Sequence, residues 1–280
     1  MLKTRESASI RSARPVNFTA LTLNMQNGQV WDHRDPDSTP LRIGDTIDFL
    51  RECGADVIFL QEVEVGYDGG HQADPPPNYS ALKAALLGYD SVFSYPRKNP
   101  DELPFGLGLA IFSRTPLTGF QRLDLPPADV TFEFGGRLRK PSWRLLIEAE
   151  SVMDGRGIRL MNTHLQAFFM INATSDDHRG QRNLVQARVL ERSIPTVLAG
   201  DFNCAPGETL LEQFAASGMR TAQGTEATWR RRPYVLDHLL YNSLLTRVDA
   251  RVLPTLASDH HAVEATFAFI ETPEGASTEG

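Results

Sequence analysis

Short apolar runs that stop abruptly at polar residues recur along this chain, and they predict buried strands with chemistry at their ends. Residues 16–23 (VNFTALTL) mix apolar and β-favouring side chains and stop at Asn24, ahead of the turn-like MQNG. Residues 56–60 (DVIFL) stop at Gln61 and Glu62, 157–162 (GIRLMN) at Thr163 and His164, and 196–199 at Gly200, Asp201, Phe202 and Asn203. Residues 91–95, 107–113 (LGLAIFS), 143–149, 235–241 (VLDHLLY) and 262–269 read as further strands. Helical spacing is confined to a few stretches. Ile43, Ile47 and Leu50 share one face of a helix over 41–53 that Gly54 can cap. Helices are also predicted over 80–87 and 183–193, and from Pro206, at a first helical position, to near Gly218. Residues 67–79 are too rich in Gly, Pro and Asp to be regular and predict a surface loop, and 168–180 predict a loop or broken helix.

Composition changes this picture only by setting limits. The 280 residues, 41% of them hydrophobic, can bury a substantial core as one large α/β domain or two smaller ones. A net charge of -7 argues against a broad nonspecific nucleic-acid footprint, yet an acidic enzyme still reaches phosphates when a metal supplies the positive charge. Cys53 and Cys204 make no disulfide framework, which fits a reducing compartment and a cytoplasmic location. No apolar region precedes Val16 and no run approaches the roughly 18 residues of a membrane span, so a soluble protein without a secretory signal is expected. Residues 1–15 are expected to be a flexible segment and 271–280 (ETPEGASTEG) a disordered tail.

Candidate chemistry collects at the strand ends. Asn24, Glu62, His164, Asp201 and Asn203 each end or follow an apolar run, which in open α/β sheets places them at the ligand crevice. Asp237 sits inside an apolar strand, where an unpaired carboxylate is costly to bury. Asp259 and His260 precede the strand at 262–269, a pairing suited to a metal carboxylate and a general acid or base. Each also has an ordinary reading. Asp201 and Asn203 could cap a turn, Glu62 could be a solvated loop glutamate, and a lone loop histidine such as His71 is usually just solvated. Arg114 at a strand end, the cluster of Arg137, Arg139 and Lys140, and Arg230 to Arg232 beside Trp229 could meet an anionic substrate or lie in ordinary exposed turns.

Taken together and in order, LTLN, DVIFLQEVE, MNTHL, LAGDFN, LDHLLYN and SDHHAV resemble the motifs of the endonuclease/exonuclease/phosphatase superfamily, the deoxyribonuclease I-like metal-dependent phosphoesterases. The resemblance covers residues 16–269 and implies a single domain over 16–270. The implied fold is a four-layered α/β sandwich, two mixed β-sheets packed face to face with helices on the outer faces. Glu62 of LQE is implied as the main ligand of a divalent cation, Mg2+ or Mn2+, with Asn24 nearby and Asp259 of SDH supporting the metal or the histidine. Asp201 of GDFN is implied to orient or deprotonate the attacking water and Asn203 to donate to the phosphoryl oxygens. The resemblance further implies that His260 contacts the phosphate or handles a proton, that Asp237 partners a site histidine, and that His164 of NTHL is the second histidine. Hard oxygen ligation by Glu62 independently suits magnesium or manganese. One position departs from the pattern. Deoxyribonuclease-type members carry a glutamate early in the strand matching LGLAIFSR, where this chain has Leu107, so His164 is expected to act alone or through a different partner.

The expected activity is therefore divalent-metal-dependent hydrolysis of a phosphoester bond by direct attack of an activated water. Fold and core motifs do not choose among small-molecule, lipid-derived and nucleic-acid phosphoesters. A DNA or RNA nuclease is the alternative within the superfamily, and a non-catalytic binding protein on the same fold is the alternative outside enzymology. A monomer without a membrane span is the default expectation.

Overall fold

The computed structural model describes residues 17–66, 71–99 and 106–270, so the expected flexible segment 1–15 and tail 271–280 lie outside the described residues. The strands are β1 (Asn17–Asn24), β2 (Val57–Gln61), β3 (Glu64–Val65), β4 (Asp90–Ser94), β5 (Gly106–Leu107), β6 (Leu109–Ser113), β7 (Thr118–Leu125) and β8 (Phe132–Phe134). They continue as β9 (Arg137–Arg139), β10 (Arg144–Met153), β11 (Arg156–His164), β12 (Thr196–Asp201), β13 (Arg220–Thr221), β14 (Asp237–Tyr241), β15 (Leu245–Leu253) and β16 (Ala262–Phe269). The helices are α1 (Ile43–Cys53), α2 (Pro77–Ala85), α3 (Gly180–Leu190) and α4 (Leu210–Ala216), with single 3-10 turns at Gln26–Gly28 and Phe168–Ile171.

Two six-stranded sheets form, in the orders β15-β16-β1-β2-β6-β4 and β13-β14-β12-β11-β10-β7. Each holds one parallel pair, β1 with β2 and β11 with β12, among antiparallel neighbours, so both sheets are mixed. Successive residues of the inner strands join different apolar clusters, and that alternation builds the layers. Val57 and Phe59 of β2 meet Leu160, Val197 and Ala199 of the second sheet in one central cluster. Ile58 and Leu60 instead pack with Ile47 and Leu50 of α1 and Leu82 of α2. On the far side, Met161 and Leu198 pack with Val185 of α3 and Phe214 of α4. Three apolar clusters thus separate four layers, the sandwich expected. Strands covered on both faces read as unbroken apolar runs, and each fully buried Leu, Ile or Phe contributes roughly 2–3 kcal/mol.

One polar side chain ties the sheets together below the edge where the chemistry lies. Asn162 of β11 is buried; its Nδ2 donates to the carbonyls of Leu60 (2.9 Å) and Ala110 (3.0 Å), and its Oδ1 accepts from Gln61 Nε2 at 2.7 Å.

Several elements differ from the pattern-based expectation. The helix expected over 80–87 starts earlier, at Pro77, where a first-turn proline is tolerated and Glu64 Oε1 accepts the Tyr79 N–H at 2.8 Å. The run at 107–113 is two strands, broken at Gly108 with φ +83°. The helix expected from Pro206 starts at Leu210, because Asp176, from the loop before α3, accepts the Thr209 N–H at 3.1 Å and fixes the start there. The helix expected over 183–193 spans Gly180–Leu190, and β12 runs on through Gly200 to Asp201. Edge strand β15 is mostly exposed and carries no apolar run, so the hydrophobic pattern does not announce it. Among the described residues no helix is long and apolar enough to cross a membrane.

Candidate active site

Register brings the candidate side chains to one edge of the sandwich. Asn24 closes β1 beside Gln61 of the parallel strand β2, and Glu62 follows with φ +50°. In the second sheet, parallel pairing sets His164 beside Asp201, while antiparallel pairing sets Asp237 on the other flank of Asp201. The first of these juxtapositions needs Gly200. At φ +152°, a Cβ there would lie 2.0 Å from the carbonyl oxygen of Thr163.

Asp201 is the hub. Its Oδ2 accepts from Asn24 Nδ2 at 3.0 Å and lies 3.5 Å from His164 Nε2 and 3.9 Å from His260 Nε2, while Oδ1 accepts from the Asn203 N–H at 2.9 Å. Asn24 Nδ2 also donates to Glu62 Oε1 at 3.0 Å, and the Asn24 Oδ1 accepts from the Gln26 N–H at 3.1 Å. His260 is gripped from behind, its Nδ1 2.7 Å from Asp237 Oδ2. Asp259 accepts from Arg231 Nε at 2.9 Å and from Trp229 Nε1 at 3.3 Å. The Asn203 side chain donates to the Leu165 carbonyl at 3.0 Å. Glu62, His164, Asp201, Asn203, Asp259 and His260 line one cavity of about 450 Å³, with Asn24 and Asp237 set behind Asp201 and His260.

Burial and local charge push these groups apart. Burial raises Glu62 above the usual carboxylate range, and the Asn24 hydrogen bond only partly offsets it. Burial, with Asp237 next to it, also raises Asp201. Burial alone would lower His260, but Asp237, Asp201 and Asp259 outweigh it and hold the ring protonated. His164 moves the other way, well below the ordinary histidine value, through burial and then the charge of Arg144. The two imidazoles facing Asp201 are therefore of opposite kinds, one cationic and one neutral.

The donor set fits a hard divalent cation. Glu62 is a half-buried carboxylate that opens onto the cavity, and Asp259 faces the same space. Asp201, Asp237 and His260 also offer ligand atoms within 4.8 Å of one another, a set able to hold an ion. The hydrogen bond between His260 and Asp237 occupies one atom of each; Glu62 and Asp259 likewise each have one oxygen hydrogen-bonded, to Asn24 and to Arg231 and Trp229, and both line the cavity.

Other candidates fall elsewhere. His71 is exposed and does not line the cavity, and Arg114 lies across the Tyr89 ring and donates to the Gly54 carbonyl, where its role is structural. Hairpin β8–β9 does border the cavity, but through Phe132, Glu133 and Phe134 rather than Arg137, Arg139 or Lys140, and Lys140 pairs with Asp129 at 3.0 Å. Of the second cluster only Arg231 reaches the cavity, and its charge is committed to Asp37 (2.6 Å) and Asp259. Arg230 donates to the Thr255 carbonyl and Arg232 lies over the Tyr234 ring. The first cluster thus does not line this cavity, and the second reaches it only through an arginine already paired.

Two cavity residues carry no recognisable signal in the sequence. Arg144 opens β10, where antiparallel pairing of Leu145 with His164 brings its Nη1 to 3.3 Å from Nδ1 and 3.4 Å from Nε2 of the His164 ring. An arginine at the start of the strand paired with NTHL is the clue, readable only once that pairing is known. Gln166, two residues past His164, also lines the cavity. His164 thus does have partners in place of the missing glutamate, namely Arg144, Asp201 and, at 3.9 Å, Glu62.

A family model described as Endonuclease/Exonuclease/phosphatase family matches residues 21–260. A UPF0294 protein of Yersinia pseudotuberculosis is 30% identical over 139 residues, 47% of this chain and 52% of that protein, so the chain spans about half the length of the curated relatives it matches. An endonuclease/exonuclease/phosphatase structure from Beutenbergia cavernae superposes with a TM-score of 0.67 and 21% identity, covering 94% of this chain and 74% of that one. A mannosyl-6-phosphatase of Bacteroides thetaiotaomicron gives 0.61 and 16%, covering 90% of this chain and all of that one. At such identities the structural likeness is one of fold.

Proposed function

The chain belongs to the endonuclease/exonuclease/phosphatase family, and from that premise we propose that it hydrolyses a phosphoester bond with Mg2+ or Mn2+, by direct attack of an activated water. The observation that carries the reading is convergence: Glu62, His164, Asp201 and His260, delivered from both sheets, face one cavity. Structural side chains have no reason to gather there at the cost of burying two carboxylates.

In this reading Glu62 and Asp259 hold the cation. When bound, it supplies positive charge to the non-bridging and leaving oxygens. Asn24 points its amide nitrogen at Glu62 and Asp201, so its role is to orient both carboxylates rather than to ligate. Asp201 accepts a proton from water as the oxygen closes on phosphorus in line with the leaving oxygen, and the ester P–O bond breaks. A raised pKa suits a base working near neutral pH. His260, fixed by Asp237, presents Nε2 as a charged donor to a phosphoryl oxygen, and Asn203 donates beside it. His164 stays neutral beneath Arg144 and hydrogen-bonds the phosphoryl group from the other side.

Turnover of bis(p-nitrophenyl) phosphate is expected with Mg2+, is lost in EDTA, and falls about 10²–10⁴-fold in Asp201→Asn. Undiminished activity in that variant removes Asp201 from the chemistry. No metal-dependent turnover of this ester, plasmid DNA, inositol phosphates or sphingomyelin by the wild type would hand the site to the binding-protein reading.

A further inference from the structure

One wall of the cavity is apolar although the phosphoester chemistry needs none. Phe132, Phe169, Met170, Ile171, Trp229 and Leu236 face the space beside the catalytic groups. Phe169 is held in place, its ring 5.6 Å from both Trp229 and Tyr234. Trp229 in turn lies 6.4 Å from His260, so this wall continues directly from the reacting centre.

Gln166, an uncharged polar side chain, lines the same cavity. Gln166 is only 7% exposed, and its backbone is fixed on both sides: the N–H donates to Gln181 Oε1 at 3.0 Å and the carbonyl accepts from the Phe168 N–H at 3.0 Å. Its side-chain amide hydrogen-bonds no described residue and opens into the cavity. A buried amide needs both a donor and an acceptor from whatever fills the space beside it.

We infer that Gln166 is a specificity-determining residue, binding a neutral amide-like donor–acceptor group carried on the apolar body of the phosphodiester. The inference rests on the hydrolase reading of the same site. A plain alkyl or phenyl body would leave the Gln166 amide stranded against hydrocarbon. A polyhydroxylated sugar would instead strand its own hydroxyls against Phe132, Phe169, Met170 and Ile171. An anionic body would find Arg231 already paired with Asp37 and Asp259. An apolar body bearing one amide satisfies both halves of the wall. Two sources supply that chemistry: the cyclic amide of a nucleobase, or the open amide of an N-acylated alkyl chain.

Three diesters sharing one leaving group separate these cases: phenyl p-nitrophenyl phosphate, p-nitrophenyl thymidine 5′-phosphate, and 2-(hexanoylamino)ethyl p-nitrophenyl phosphate. At least one amide-bearing ester is expected to exceed the phenyl ester in kcat/KM by about tenfold, mainly through KM, and Gln166→Met is expected to erase that preference while leaving the phenyl ester within about twofold. Whichever amide ester leads identifies the source. Gln166→Glu keeps the shape and loses the donor, so it is expected to lose the same preference, and phenyl-ester turnover by either variant reports an intact fold. The inference is overturned if the wild type turns over the phenyl ester at least as well as both others, or if the variants slow all three esters alike. If the wild type turns over none of the three with Mg2+, the hydrolase reading fails first and the inference falls with it.

Discussion

Gly200 shows how one residue with no functional group can govern a site. At its φ of +152°, a methyl group on Cα would come within 2.0 Å of the Thr163 carbonyl oxygen, so only hydrogen fits, and this close approach is what lets β11 and β12 carry His164 and Asp201 side by side. Gly200→Ala is expected to destabilise the fold by about 2–4 kcal/mol through backbone displacement, read as a lower urea midpoint; an unchanged midpoint would mean the strands yield freely there. Glu62 presents the opposite case, a residue that function wants and folding does not. Burial raises its pKa, so the folded state bears a cost for the charge at neutral pH. Glu62→Gln is therefore expected to melt at or above the wild-type temperature in EDTA while needing about tenfold more Mg2+ for half-maximal activity. Lower melting together with unaltered Mg2+ demand would contradict both halves. Residues of this kind are readable from the chain alone because each ends an apolar run with a side chain that burial penalises. Arg144 and Gln166 are not, since an arginine opening a strand and a glutamine in the loop after one are unremarkable until Leu145 is paired with His164 and the turn at Phe168 is closed.

At the scale of elements, Asn162 does for the sheets what Gly200 does for two strands. Its amide spans the gap between β11 and the β2–β6 pair, and among the described residues the Gln61 amide nitrogen otherwise donates only to Thr22. Asn162→Leu keeps the branching and heavy-atom count, though not the volume, and it leaves the Gln61 donor short of one partner and removes a hydrogen bond from each of two carbonyls. A loss of about 3 kcal/mol is expected, with activity toward bis(p-nitrophenyl) phosphate falling as well because Glu62 follows Gln61 directly. Full activity in a destabilised variant would show that the bridge supports the fold without aligning the site. Strands whose two faces are both covered announce themselves in the hydrophobic pattern, which is why β1, β2, β11, β12 and β16 are evident there. Helix starts are less so. The first turn of α2 is capped from Glu64 and that of α4 from Asp176, partners distant in sequence, so no local rule could place Pro77 or Leu210. β15 escapes the pattern for a related reason: an exposed edge strand needs no apolar run, only a neighbour to pair with.

Across the whole molecule, gathering titratable groups in one interior makes stability depend on pH in a way that depends on which group is examined. His238 is buried behind the site, its Nδ1 accepting from Gln223 Nε2 at 2.7 Å and its Nε2 lying 3.2 Å from the Val235 carbonyl, a neutral arrangement. Burial lowers it from 6.5 to about 4. The unfolded chain therefore binds the proton first as pH falls below 6.5, so the contribution of His238 is full above 6.5 and is lost down to about 4. Asp201 works against it in part of the same range, because its raised pKa means the folded state takes up a proton before the unfolded one does. His260 acts in a different window, its stabilisation being lost only as pH rises above the ordinary histidine value. A wild-type profile alone would blend these with the shifted His164, His261 and Glu62, so the informative quantity is the difference between His238→Gln and wild type. Between pH 7 and pH 4.5 the wild type is expected to lose about 2–3 kcal/mol more unfolding free energy than the variant, at 1.36 kcal/mol per unit of pKa displacement. Parallel urea-denaturation profiles for the two proteins over that interval would instead place the acid sensitivity in the carboxylates and histidines that line the cavity.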